Sequence, residues 1–205
     1  MTPGFSMRSP MRQAGFPGCV DTLEMVRKYV RRYQALAAWD LQKLSRGRFE
    51  LGLGTQVRQN IEERYSARWL PPAAGMTEYV GALRAIFRAF RNPREPLSFT
   101  GEHYRFTRLQ PFFNPGPIDA PDVPIMLGAV GPKMLALVGE VADGLHTHPT
   151  NTSTLYLREA ILPNVAAGAA KRDPALGAPL ICANELVAAG SDAACAKAIA
   201  AIRAK

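Results

Sequence analysis

Residues 123–148 read VPIMLGAVGPKMLALVGEVADGLHTH, and this stretch decides the fold. Val123–Val130 is a continuous apolar run of strand length, as suits a strand buried on both faces of a parallel sheet. Gly131-Pro132 then opens a helix over Lys133–Ala142. Proline is favoured in the first helical turn, where its missing N–H would have had no helical partner. Asp143–His148 is the next strand. A buried strand, a helix and a second strand form one βαβ unit, which implies an α/β fold with a parallel sheet.

The same grammar extends outward in both directions. Toward the C-terminus, Thr152 to about Lys171 reads as a helix and Pro179–Ala189 as an apolar strand. Ser191 then caps a helix over Asp192–Ala204. Toward the N-terminus, Leu97–Phe106 holds two short alternating stretches around Thr100-Gly101-Glu102, the pattern of a hairpin outside the main sheet. Met76–Phe90 carries an apolar stripe of Tyr79, Val80, Leu83, Ile86, Phe87 and Phe90, which predicts an amphipathic helix ended by Asn92-Pro93. A polar loop, Thr55–Gly75, precedes it. Arg48–Gly54 (RFELGLG) alternates as a strand. Before it, a helix beginning at Asp21 continues with a break to Leu44, and Gly47 suits the left-handed position after a helix end. Residues 1–20 hold three prolines and three glycines and form an irregular segment, and 21–205 form a single domain.

Composition narrows the class. The chain has 205 residues, 47% hydrophobic, enough for one domain with a real core. It lies at the lower limit for a (β/α)8 barrel, roughly 200 residues. No run of 18 apolar residues occurs, so no membrane helix is expected, and the N-terminus lacks the apolar stretch of a secretory signal. Cys19, Cys182 and Cys195 fit no metal-site spacing and read as free thiols, which points to the cytoplasm. Half of the net charge of +8 lies in the first 34 residues. No nucleic-acid motif accompanies it, so it reads as a solvated basic helix face and not as a nucleic-acid interface.

In parallel α/β folds, ligands bind beyond the C-terminal ends of the strands. Four such ends are Gly54-Thr55-Gln56, Ala129-Val130-Gly131-Pro132, Thr147-His148-Pro149 and Ala189-Gly190-Ser191. At the second, a buried strand passes through small residues straight into a helix. The N–H groups of Lys133, Met134 and Leu135 would then point outward at the positive helix end, a ready phosphate site. The same residues would also make a plain tight turn. The spaced glycines of a P-loop and of a dinucleotide fingerprint are both absent. Thr55, Gln56, Arg58 and Asn60 offer hydrogen bonds to a polar ligand, and Arg58 reads equally well as a surface charge. His146 and His148 share a strand face, but no third ligand is near in sequence, so no metal is expected.

Taken together, AWDLQKLSRGRFELGLGTQ (38–56), FTGEHYRF (99–106) and the 123–148 stretch resemble the luciferase-like flavin and deazaflavin enzymes, with the order and spacing of that family over about 150 of 205 residues. The Thr55-Gln56-Val57-Arg58 variant and PFFNPGPID (111–119) look most like the coenzyme F420-dependent branch. The resemblance implies a (β/α)8 TIM-type barrel holding F420, alternatively FMN, at its C-terminal mouth. It also implies hydride transfer between an organic small-molecule substrate and the deazaflavin. Carried over by position, Val130, Gly131, Pro132, Lys133 and Met134, with Ala129 leading in, would bind the cofactor phosphate. Thr55 and Asn60, beyond Gly54, would face the ring or ribityl chain. The family has three βα units before the strand at Arg48, where this chain has 47 residues, and an eighth strand after the last helix. About four of eight strands are therefore expected, an incomplete barrel. The alternatives that follow are an FMN-dependent monooxygenase, or a non-catalytic fragment or half barrel that needs a partner. A homodimer is the expected assembly.

Overall fold

The computed structural model describes residues 22–185 and 189–203. Helix α1 spans Thr22–Leu44 and leads into strand β1, Leu51–Leu53. Helix α2 covers Pro72–Arg91. Strands β2 (Phe99–Thr100) and β3 (Arg105–Phe106) follow, then β4 (Ile125–Gly128), α3 (Pro132–Val141) and β5 (Gly144–His146). A short α4 (Thr154–Tyr156) runs through a π turn, Leu157–Ile161, into α5 (Leu162–Ala169). Strand β6 (Leu180–Cys182) and α6 (Asp192–Arg203) complete the order.

The main sheet has the order β1-β4-β5-β6, with every neighbouring pair parallel. β2 and β3 pair antiparallel and stand apart from it, the hairpin anticipated for Leu97–Phe106. The register aligns Leu53 with Leu127 and Leu145, and Gly52 with Met126 and Gly144. Since side chains alternate along a strand, Ile125, Leu127 and Leu145 share one face. All three are fully buried with Leu83, Phe90, Leu135 and Val138 under the helices. Glu50, Gly52, Gly54, Met126, Gly128, Gly144, His146, Leu180 and Cys182 share the other. There Gly52, Gly54 and Gly128 are exposed and Leu180 is 56% exposed. This face is open at those positions, while Met126, 1% exposed, covers Gly144.

Trp39 anchors α1 to α2. Its ring stacks on Phe87 at 5.8 Å, meets the edge of Phe90 at 5.5 Å, and donates Nε1–H to the Gly116 carbonyl at 2.9 Å. Gln42, 1% exposed, donates to the Asp122 carbonyl and accepts from the Phe49 N–H, both at 3.1 Å, which ties the end of α1 to both strand approaches. Gly47 adopts φ +84°, as its helix-end position required. Asp143 accepts from Arg84 at 3.0 Å and from the Ile125 N–H at 2.7 Å, pinning α2 to the starts of β4 and β5.

Helices α3 and α5 cross with almost no space between backbones. A Cβ on Gly168 would lie 1.8 Å from the Ala136 carbonyl oxygen, and one on Gly139 would lie 2.0 Å from that of Val165. Arg172, just past α5, donates to the Gly139 and Ala142 carbonyls at the end of α3 and to those of Leu176 and Gly177. Partial burial lowers its pKa from the usual arginine value.

Glu78 of α2 holds the hairpin. Its carboxylate accepts from the N–H groups of Glu102 (3.0 Å), His103 (2.8 Å) and Tyr104 (3.2 Å). Partial burial pushes its pKa up, but the three backbone donors and nearby His103 outweigh that and hold it below the ordinary carboxylate value. A depressed folded-state pKa stabilises the fold above the unfolded value, about 4.3, and the contribution disappears as pH falls through the folded value. Glu78→Ala is therefore expected to destabilise by about 1–3 kcal/mol at pH 7. The gap to wild type should narrow as pH falls through the folded-state value, which lies below the ordinary carboxylate value. Urea melts in steps from pH 7 down to the acid limit of the fold check both statements; a gap that does not narrow over that range would refute the charge argument.

Several elements differ from their sequence-based bounds. Helix α1 runs to Leu44 without the anticipated break, and Asp21, its anticipated first residue, lies outside the described residues. Helix α2 begins at Pro72 and not at Met76, because Pro72 occupies the first helical turn, where proline is tolerated. Part of the anticipated polar loop winds into a π turn at Asn60–Arg64. The helix anticipated over 152–171 is real but widens at Leu157–Ile161 ahead of Pro163, whose missing N–H falls in the first turn of α5. The strands are shorter than the apolar runs because pairing extends only over the registered residues.

Candidate functional site

Parallel pairing brings the ends of β1, β4, β5 and β6 to one rim. Gly54 and Thr55 continue from β1, Ala129–Gly131 from β4, Thr147 and His148 from β5, and Ala183 and Asn184 from β6.

The β4 loop enters α3 through Gly131, which is extended (φ −76°, ψ 159°), with Pro132 opening the helix. The Leu135 N–H is already bonded to the Gly131 carbonyl at 3.0 Å, so it is not one of the outward donors the sequence suggested. That leaves Lys133 and Met134, whose N–H groups lie in the first turn and have no partner within the helix. Gly131, Pro132 and Lys133 are exposed, and nothing lies within 4 Å of where a Gly131 Cβ would project. Ala129 is buried in the core and Met134 is half-buried against it, so both face the rim only through their backbone. Val130 is 47% exposed, and its carbonyl accepts from the Tyr156 hydroxyl at 2.7 Å.

Gly54 and Thr55 line a cavity of ≈ 350 Å³ between the end of β1 and the start of α2, together with Tyr65, Arg68, Met76, Tyr79 and Tyr104. Asn60 is not on that wall. It is half-buried, and its Nδ2 donates to Gln56 Oε1 at 3.0 Å. Arg58 pairs with Glu62 at 2.9 Å and lies over the Trp69 ring at 5.5 Å, the surface-charge option. Its hydrogen bond to Glu62, with that residue's charge, raises its pKa. The structure thus brings the β1 and β4 loops to one rim, while the cavity belongs to the β1 side alone.

Two groups of polar residues escape a reading of the sequence. On the open sheet face, His146 Nε2 lies 3.8 Å from Glu50 Oε2, an approach that depends on β4 inserting between β1 and β5. Beyond β5, the buried Thr147 and Thr152 form a network with the exposed Asn184. Among the described residues, Glu78, Glu102 and His103 offer clustered ligand atoms, but the Glu78 carboxylate is committed to three backbone donors.

With this geometry in view, the luciferase-like monooxygenase family matches residues 34–205. An uncharacterized protein of Mycobacterium tuberculosis is 41% identical over 158 residues, 77% of this chain and 46% of its own length. Another protein of the same organism, named as a coenzyme F420-dependent oxidoreductase, is 39% identical over 119 residues, 54% of this chain and 33% of its own. Among solved structures, an F420-dependent secondary alcohol dehydrogenase in complex with an F420-acetone adduct superposes with TM-score 0.55 at 22% identity, over 72% of this chain and 43% of that one. The chain belongs to the luciferase-like monooxygenase family and carries part of its TIM-type α/β barrel. It spans less than half the length of these relatives. No helix among the described residues is long and apolar enough to cross a membrane.

Proposed function

We propose that this chain binds coenzyme F420 and serves an oxidoreductase that moves hydride between a small organic substrate and the deazaflavin. The observation that carries the reading is the start of α3. Two N–H groups without a helical partner, those of Lys133 and Met134, and an open approach at Gly131 meet at the rim where parallel α/β folds take ligands, and Lys133 is exposed there. That donor set has no acceptor and no metal-ligating atom, so it suits a phosphate group. Gly131, Lys133 and Met134 would hold the phosphate, with Ala129, Val130 and Pro132 shaping the approach. Gly54 and Thr55 would face the ring or ribityl chain, and Asn60 would support them through Gln56. Bound F420 would supply the hydride donor or acceptor.

Titration of the purified chain with F420, followed by cofactor fluorescence, tests the reading. Saturable binding at tens of micromolar or tighter is expected, weakening with added salt because an anion is being bound. No binding in that range would refute it, and tighter binding of FMN in a parallel titration would replace the cofactor.

A further inference from the structure

The β4 loop is held from outside by a residue of the next βα unit. Tyr156 lies in α4, 26 residues beyond Val130, and its hydroxyl donates to the Val130 carbonyl at 2.7 Å. The peptide joining Val130 to Gly131 is trans and planar, so fixing the carbonyl on one side fixes the Gly131 N–H on the other. That peptide leads into Gly131, the residue through which the chain enters α3 at Pro132.

The tether is itself anchored. Ser153 accepts the Tyr156 N–H at 3.2 Å and so caps α4. Next to it, the Thr152 hydroxyl, 8% exposed, lies 2.7 Å from the Asn184 carbonyl and 2.9 Å from that of His148. Asn184 donates its N–H to Thr147 Oγ1 at 2.9 Å and its Nδ2 to the Thr147 carbonyl at 2.8 Å. The loops after β5 and β6 are thereby locked together directly beneath α4. The Tyr156 ring packs against the core, so the hydroxyl is delivered from a fixed body.

We propose that Tyr156 is a positioning residue for phosphate capture: by holding the Val130 carbonyl it aims the Gly131 N–H and the start of α3 at the anion. The proposal rests on the phosphate assignment made above. Tyr156 acts through the Val130 carbonyl, setting the geometry of the backbone groups that would meet the phosphate.

Tyr156→Phe removes the hydroxyl and keeps the packed ring. In the cofactor-free chain, amide exchange of the segment 129–135 is expected to quicken about 3- to 10-fold, the size of one lost hydrogen bond. Exchange in α2 should stay unchanged. Affinity for F420 should fall by a similar factor, while affinity for the phosphate-free deazaflavin bearing only its ribityl chain stays the same. A general loss of structure would weaken both ligands equally and quicken exchange in α2, and that result would overturn the proposal. Unchanged exchange in 129–135 would overturn it as well. Failure of the wild-type chain to bind F420 would refute the phosphate assignment, and the proposed role with it, even if the exchange data showed that the tether exists.

Discussion

Lys133→Glu is expected to lower F420 affinity by about 100-fold, equivalent to about 2.7 kcal/mol. The substitution removes an exposed cation from the first turn of α3 and puts a carboxylate in the place where an anion should sit. Two unit charges about 4 Å apart interact by about 4 kcal/mol at an effective dielectric of 20, and exposure to solvent reduces that. The helix itself responds in the opposite sense. A carboxylate in the first turn complements the helix dipole and stabilises by about 0.3–1 kcal/mol. The variant should therefore melt no lower than wild type while binding far more weakly. Thermal melts paired with F420 titrations separate the two effects. A variant that binds as wild type does would show that the phosphate is held elsewhere.

Gly168→Val is expected to destabilise the chain by about 3 kcal/mol or more, and to lower Tm by roughly 10 °C. Even the Cβ of alanine would stand 1.8 Å from the Ala136 carbonyl oxygen, and the obstacle is backbone, which cannot rotate out of the way. α3 and α5 would have to separate, and α3 carries Gly131–Met134 with it. F420 affinity should fall in the folded fraction too. Gly52→Ala is the matched control, because nothing lies within 4 Å of its Cβ position, and it should change stability by less than about 0.5 kcal/mol. Equal melting of the two variants would show that the helices can yield.

The residues that revealed the fold were those whose burial leaves a periodic trace. Ile125, Leu127 and Leu145 are fully buried, and their run, with the proline-opened helix between, identified the parallel unit. The α2 stripe was equally plain, since Val80, Leu83, Ile86 and Phe90 all face the core. Boundaries were less visible. Pro72 punctuates a loop and starts a helix with the same chemistry, and Pro163 sits inside a helical run that only a π turn accommodates. At the rim, the αβ grammar located Gly131–Met134. It miscounted Leu135, because the sequence does not show which residue's carbonyl closes the first helical turn. Tyr156, Thr152 and Asn184 left no trace at all, since they bond to Val130, Asn184 and Thr147, which lie 26, 32 and 37 residues away in the chain and are reached only through tertiary packing.

Arg172 gives α3 an unusual electrical character. A helix of ten residues, about 15 Å long, ordinarily presents a positive field at its start and a nearly equal negative field at its end, and the two partly cancel at a distance. Here the guanidinium donates to the carbonyls of Gly139 and Ala142, so the negative pole is neutralised by a full positive charge held in place by four carbonyl partners. With about half a positive charge at its start, and Arg172 outweighing the half negative charge at its end, the helix and its arginine together carry a net positive charge. Its reach falls off with distance more slowly than that of a dipole. An approaching anion would sense the rim before it touched it, and the arginine responsible stands at the opposite end of the helix.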